Sequence, residues 1–320
     1  MGNNDLELQV VRKQFRKFGT EIDFQIVVAD ESQVTQAQED LAQAEQQCDK
    51  IEKIFSRFDS ESELMKINSQ LGKSFQASVQ LLRIAELALA YHEKTHGYFD
   101  PRIIGELEES GYGNDFDEIG SAKILEKKKS VDFGKQLEKD LIIKDRGVTF
   151  IEKMDFAGVV KGFTTDTIAE FFKGCGWKNF LVDCGGDMFF SGKDKNNNPW
   201  YVDIEGIPYQ TLMLELEQNA IATSGIGKRK WEIDGKRFHH LIDPKNPEKY
   251  SFDLKSVTVV ASHARDADVW AKTLFIMGGE RAKSIAREKN IACAILDYRG
   301  GAWISTELKK YLYQNNEQKN

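Results

Sequence analysis

The stretch "DFAGVVKGFTTD" (residues 155–166) sets two glycines, a lysine and two threonines between an apolar run and a helical pattern. A lysine beside glycine suits an anion, because backbone N–H groups at a helix start and an ammonium both favour negative charge. The P-loop pattern G-x-x-x-x-G-K-[ST] is not met, since Lys161 precedes Gly162. The plainer reading is a strand turning into a helix, with Gly158 and Gly162 serving tight backbone geometry. The stretch "KRFHHLIDPKNP" (236–247) holds two of the chain's five histidines side by side. In an extended segment His239 and His240 point to opposite faces, so only one can face a given site. That one could be a general base; otherwise the two are half-exposed residues before the Asp243-Pro244 turn.

"ARDADVWAKTLFIMGG" (264–279) places Asp266 and Asp268 at a helix start. Carboxylates there cap helices, and they are also hard-oxygen ligands suited to Mg²⁺. Lys272 follows Asp268 by four residues, so an intrahelical ion pair is a third reading. "NAIATSGIGKRKW" (219–231) offers the hydroxyls of Thr223 and Ser224 with Lys228, Arg229 and Lys230: a solvated turn or a wall for an anion. G-x-S-x-G is absent and "DCGGDMFFSG" is no dinucleotide fingerprint, so neither a serine nucleophile nor that fold is supported.

The elements that must position these residues follow from periodicity. "TEIDFQIVV" (20–28) alternates as a strand, and Val34, Ala37, Leu41, Ala44, Cys48, Ile51 and Phe55 step as an amphipathic helix. Ser60, with Glu63, is expected to cap a short helix, and "VQLLRIAELALAYHEKTHG" a longer one stopping at Gly97. Residues 102–150, acidic and Gly-rich and then basic, read as exposed loops and short strands. "TDTIAEFFKGCG" reads as a helix capped by Thr164, Thr165 or Asp166 and ending at Gly174 and Gly176. "NFLVDCGGDMFFSG" reads as a hairpin, "WYVDIE", "TLMLELE", "AIATSG" and "SVTVVAS" as strands. Helices from about Asp266 to Met277 and over "GERAKSIAREKN" precede strands "IACAILDY" and "AWIS". The tail "YQNNEQKN" is expected to be disordered. Elements mixed without βα alternation predict an α+β fold, and no linker divides the chain.

A formal net charge of −7 excludes a general nucleic-acid binder while allowing a local basic pocket. No apolar run approaches the ~18 residues of a membrane span. The start lacks a basic, apolar leader, which predicts a cytoplasmic protein. Cys48, Cys175, Cys184 and Cys293 show no metal or disulfide spacing and read as buried free thiols of a reducing compartment.

Taken in order, "FGTEIDFQIVV", "FSRFDSESELMKIN", "GYFDP", "DFAGVVKGFTTD", "NFLVDCGGDMFFSG", "AIATSG", "KRFHHLIDP" and "DADVWAKTLFIMGG" resemble the ApbE family of FAD:protein FMN transferases, over about residues 18–305. The resemblance implies an ApbE-like, T-fold-related α+β architecture of mixed or antiparallel sheets with packed helices. It places a single domain at 18–305, between an N-terminal extension (1–17) and a C-terminal tail (306–320). It implies an enzyme that binds FAD with Mg²⁺ and transfers FMN to a Thr or Ser hydroxyl of an acceptor flavoprotein, releasing AMP. By position, Phe18, Phe58, Tyr98, Phe99, Asp100, Asp155, Lys161 and Ile242 match FAD contacts. The Gly158 carbonyl and the Asp268 carboxylate match metal ligands, and His240 the catalytic base. An Mg-dependent FAD diphosphatase and a non-catalytic FAD-binding protein are the alternatives.

Lys272 departs from the family pattern, standing where a metal-ligating Thr is common; a protonated ammonium has no lone pair for a metal. Three readings stay open: Lys272 touches the diphosphate directly, Asp266 fills in as the metal ligand, or metal binds more weakly. Ile226-Gly227 departs likewise, where a polar-aromatic pair is frequent.

Overall fold

The structure is a computed structural model describing residues 8–112, 131–204, 206–207, 212–227 and 229–313. β1 (Gln9–Lys17) and β2 (Thr20–Val28) are followed by α1 (Val34–Phe55), α2 (Glu63–Asn68), β3 (Ser74–Gln76), α3 (Val79–Lys94) and α4 (Ile104–Glu109). β4 (Leu141–Lys144), β5 (Gly147–Phe150), α5 (Ala157–Gly174), β6 (Phe180–Cys184) and β7 (Met188–Ser191) come next. β8 (Trp200–Asp203), β9 (Met213–Leu216), β10 (Gln218–Gly225), β11 (Lys230–Ile233), β12 (Lys236–His239) and β13 (Leu254–Ala261) follow. α6 (Ala264–Met277), α7 (Gly279–Glu288), β14 (Ala292–Asp297) and β15 (Ala302–Ile304) complete the order.

Eight strands form one antiparallel sheet, ordered β1-β2-β6-β7-β10-β13-β14-β15. Both faces are covered, and the period-2 alternation sorts neighbours onto opposite sides. Ala222, Val257, Val259, Cys293 and Ile295 pack with α6 and α7, while Ile221, Val260, Ala292 and Ala294 pack with β8, β9 and Leu308. A second core joins α2, α3 and the β3-β5-β4 sheet to the start of α5 through Phe156, Val159, Val160 and Phe163. Residues 9–17 pair along the whole of β2, and Leu308 is fully buried, so the large sheet draws on both ends of the described chain.

Several expectations need correction. Ser62, not Ser60, caps α2, its hydroxyl accepting from the Met65 N–H at 3.1 Å. α5 starts at Ala157, so Thr164, Thr165 and Asp166 lie inside it rather than at its cap; the Thr164 hydroxyl donates back to the Val160 carbonyl. α6 starts at Ala264. The 102–150 region is not merely exposed: Arg102, Leu107, Val148 and Phe150 are buried. Cys48, Cys184 and Cys293 are buried free thiols, but Cys175 is exposed. Residues 113–130, Lys228 and the tail beyond Tyr313 lie outside the described residues. No described helix is long and apolar enough to cross a membrane.

What positions the site is the α5–α6 contact. Gly158, Gly162 and Asp166 are four residues apart and share one face of α5. A Cβ at Gly162 would come within 2.6 Å of the Arg265 Cα, so backbone touches backbone there. Asp166 then caps the partner helix, accepting from the Ala264 and Arg265 N–H groups at 2.6 and 3.2 Å and from the Arg265 guanidinium at 2.8 Å. Residues 226–240 leave β10 and return as the β11–β12 hairpin, turned on Asp234-Gly235 with φ of 51° and 74°. On β12, His239 is enclosed: Nε2 donates to the Ser251 carbonyl at 2.9 Å, and Tyr250, Phe252 and Phe275 meet the ring edge-on. Burial pulls its pKa down to about 4.

Two outcomes are expected. Gly162→Ala pushes backbone against backbone and lowers stability by about 1–3 kcal/mol in denaturant titration, whereas Gly174→Ala, with open space around it, does not. For His239, a folded pKa of about 4 against the ordinary 6.5 means the unfolded chain binds more protons between those values. Stability is therefore full above pH 6.5 and falls as the pH drops towards 4, by ~3 kcal/mol. Melting curves from pH 7 to pH 4 check this, with a shallower fall in His239→Gln.

Candidate active site

Asp268 lies on the α6 face turned to α5 and is 1% exposed. Its Oδ1 receives the ammonium of Lys272, one turn on. The Lys272 stem passes Gly158: a Cβ there would lie 4.0 Å from Lys272 Cδ and 3.1 Å from the Phe99 ring. The structure thus brings Gly158, Phe99, Asp268 and Lys272 together. One turn along α5, the Lys161 ammonium meets Asp187 Oδ2 at 2.5 Å. Asp187 ends the β6–β7 turn after Gly185 and Gly186, and its carbonyl accepts the Thr165 hydroxyl at 2.9 Å. Burial pulls Lys272 down to about 7; Asp187 opposes the fall, while Lys161 and Arg229 add to it. Three basic side chains and two carboxylates therefore share one neighbourhood.

His240 borders it. Arg229 and His240 flank the last pair of the β11–β12 ladder, and His240 Nδ1 sits 3.2 Å from the Arg229 carbonyl. A carbonyl only accepts, so Nδ1 carries the proton and Nε2 keeps its lone pair. Burial, with Arg229 and Lys272 nearby, lowers the pKa to about 3, so the ring is neutral at neutral pH. His240 has the tautomer of a base; His239, its neighbour, is the enclosed one.

An aromatic wall adjoins. The Arg57 guanidinium lies between Phe58 and Tyr112, 4.5 and 4.4 Å from their ring centroids. Arg57 also donates to the Tyr112 carbonyl at 2.9 Å and stands 3.7 Å from Asp155 Oδ2. Asp155 Oδ1 accepts the Ala157 N–H at 2.8 Å, tying this wall to the start of α5. Tyr112 meets Trp231, and Ile242 packs with both. Phe58 is 49% exposed, which leaves ring surface open to a planar ligand. Arg57, Tyr112, Trp231 and Asp187 went unnoticed in the sequence; Arg57 beside Phe58 was the one local signal among them.

Other expected residues stand apart. Asp100 is fully committed: its carboxylate pairs with buried Arg102 at 2.6 Å and with His92 at 3.3 Å, so its side chain is not offered to a ligand. Tyr98 is 6% exposed, beneath the Arg281 guanidinium at 4.9 Å. Phe18, with φ of 54°, forms the β1–β2 turn and packs on two cores. Ile226 is buried in the core beneath α6. A cleft of about 600 Å³ at the β11–β12 hairpin is lined by Lys230, Trp231, Glu232, Arg237, Phe252 and Tyr298; of the residues singled out in the sequence it holds Lys230 alone.

A divalent cation at Gly158 and Asp268 was the expectation to test. In its favour, Asp268 Oδ2 is buried without a hydrogen-bond partner. Against it, Oδ1 already holds the Lys272 ammonium. Asp266 is taken, by the Tyr91 hydroxyl at 2.7 Å and by His263 at 3.5 Å. Among the described residues no three Asp, Glu, His or Cys side chains converge. A dication about 4 Å from that ammonium would be repelled by about 8 kcal/mol at an effective dielectric near 20. As placed, these residues do not fit Mg²⁺.

Comparison with known proteins accords with the fold and motif order. The model of the ApbE family matches residues 18–295. The FAD:protein FMN transferase of Klebsiella pneumoniae (strain 342) is 26% identical over 287 residues, 85% of this chain and 81% of that protein. That of Escherichia coli (strain K12) is 26% identical over 283 residues, 83% and 80% of the two chains. The flavin transferase ApbE from Vibrio cholerae superposes with a TM-score of 0.77 at 21% identity, covering 95% of this chain and all of the other. The apo flavinyl transferase ApbE of Pseudomonas stutzeri gives 0.82 at 18% identity, covering 98% and 99%. With the family model matched over most of its length and the antiparallel α+β fold shared, this chain belongs to the ApbE family.

Proposed function

We propose that this chain is an FAD:protein FMN transferase that moves FMN from FAD to a Thr or Ser hydroxyl of an acceptor flavoprotein, with AMP leaving. The observation that carries the reading is His240: a neutral imidazole whose Nε2 lone pair is left available, beside the cations Arg229 and Lys272. A diphosphate needs positive charge around it and an acceptor hydroxyl needs a base within reach. His240 beside Arg229 and Lys272 supports a reading in which both requirements are met near the α5–α6 seam.

In this reading the hydroxyl oxygen bonds to the FMN-side phosphorus as the bond to the AMP oxygen breaks, and its proton passes to His240 Nε2. Lys161 and Arg229 hold the diphosphate, with Asp187 orienting Lys161. Phe58, braced by Arg57 against buried Tyr112, gives ring surface for the isoalloxazine or adenine. Asp155 supports that wall from the start of α5, with Ile242 packed in the Tyr112 cluster and Phe99 against Gly158. No step here is routed through Mg²⁺, because the Lys272 ammonium already lies on Asp268 Oδ1. Three buried free thiols suit a reducing compartment such as the cytoplasm.

The test is incubation with FAD and an acceptor flavoprotein, read as a flavin-fluorescent acceptor band on a denaturing gel. FMN and AMP without a band identify a diphosphatase instead, and absence of both products sinks the reading. His240→Ala lowers transfer at least about 100-fold while FAD affinity stays within about threefold. Undiminished transfer by that variant removes His240 from the mechanism.

A further inference from the structure

Lys272 enters the flavin-transfer reading only as a nearby charge, without a contact of its own. Its ammonium sits on Asp268 Oδ1, its stem lies along Gly158, and it feels Asp187, Lys161 and Arg229. It therefore occupies the place between the Gly158 and Asp268 positions where a divalent ion was expected. The seat is built rather than incidental. Asp268 is 1% exposed and the Lys272 side chain 19%, and Gly158 is tight enough that a methyl group there would press on Phe99. A solvated intrahelical pair would swing freely, whereas this one is held by helix packing on two sides.

We propose that Lys272 is a resident cation standing in for the divalent metal in this chain, gripping the FAD diphosphate directly so that substrate binding needs no Mg²⁺. The inference rests on the transferase reading. Asp268 then serves as a positioning residue, holding the ammonium at the mouth of the site. Lys161 and Arg229 supply further positive charge, and Asp187 anchors Lys161. The bonds made and broken are those already given: hydroxyl oxygen to phosphorus, phosphorus to AMP oxygen, and the proton to His240. Lys272 contributes charge and an N–H donor to the departing AMP oxygen and gives up no proton in the balance.

The experiment uses the full chain freed of metal, with FAD affinity followed by flavin fluorescence in EDTA and in excess MgCl₂. The dissociation constant is expected to differ by less than about threefold between the two. Titration calorimetry with MgCl₂ alone is expected to show no site. In Lys272→Thr, FAD affinity in EDTA falls at least about tenfold and MgCl₂ restores it. Lys272→Arg, which keeps the charge, stays indifferent to EDTA; circular dichroism confirms that both variants are folded. FAD binding by the unaltered protein that collapses in EDTA and returns with Mg²⁺ overturns the proposal while leaving the transferase reading intact. So does a calorimetric Mg²⁺ site in the unaltered protein. FAD binding in neither condition overturns both.

Discussion

Gly162 lets the backbone of α5 rest on the first turn of α6, and Asp166 closes two of that turn's open N–H groups. Together they set both the distance and the phase between the helices. Any side chain at 162 would hold the helices apart, and Gly158 would then draw away from Lys272. Any other start for α6 would rotate Asp268 and Lys272 off the seam. Sheet packing supports the same arrangement from beneath, since Ala267, Ala271 and Leu274 of α6 lie on β10 and β13 through Ala222, Val257 and Val259.

Charge is concentrated at this seam in a chain that is acidic as a whole. Lys161 and Lys272 each have a buried or nearly buried carboxylate as partner, Asp187 and Asp268. Bringing cations so close in a low-dielectric setting costs free energy unless carboxylates or an incoming anion offset it. The pairs supply that offset in the ligand-free protein. In the proposed reaction an arriving diphosphate takes over the same role without the cations having to move far, which is preorganisation of the kind phosphoryl transfer relies on.

The long helices and most strands were legible because their apolar periods are clean: Ala37, Leu41, Ala44, Cys48, Ile51 and Phe55 are buried as their spacing demands. Helix starts were less legible, because polar residues serve more than one helix. Asp166 looks like a cap in sequence and is one, but for α6, 98 residues away, and no local pattern can reveal that. In the site, His240, Lys161, Gly158 and Asp268 converge, while the side chain of Asp100 turns inward to Arg102. That departure is electrostatic: fully buried Arg102 needs a carboxylate, and the nearest in sequence provides it. Arg57, Tyr112 and Trp231 were invisible because their meeting is purely tertiary. The pairing of Lys272 with Asp268 was one of three open readings from spacing alone, and packing decided among them.

The division of labour between the adjacent histidines is set four residues before them. With Asp234-Gly235 as a two-residue turn, Lys230 faces His239, and the face of β12 that meets the aromatic cage is thereby chosen. Strand side chains alternate, so a slip of one residue in that pairing would send His240 into the cage and His239 to the seam. Which imidazole reaches the seam is thus encoded in the handedness of a turn: the left-handed backbone of Asp234 and Gly235 acts as the selector, and the surroundings of each histidine are a matter of strand parity as much as of residue type.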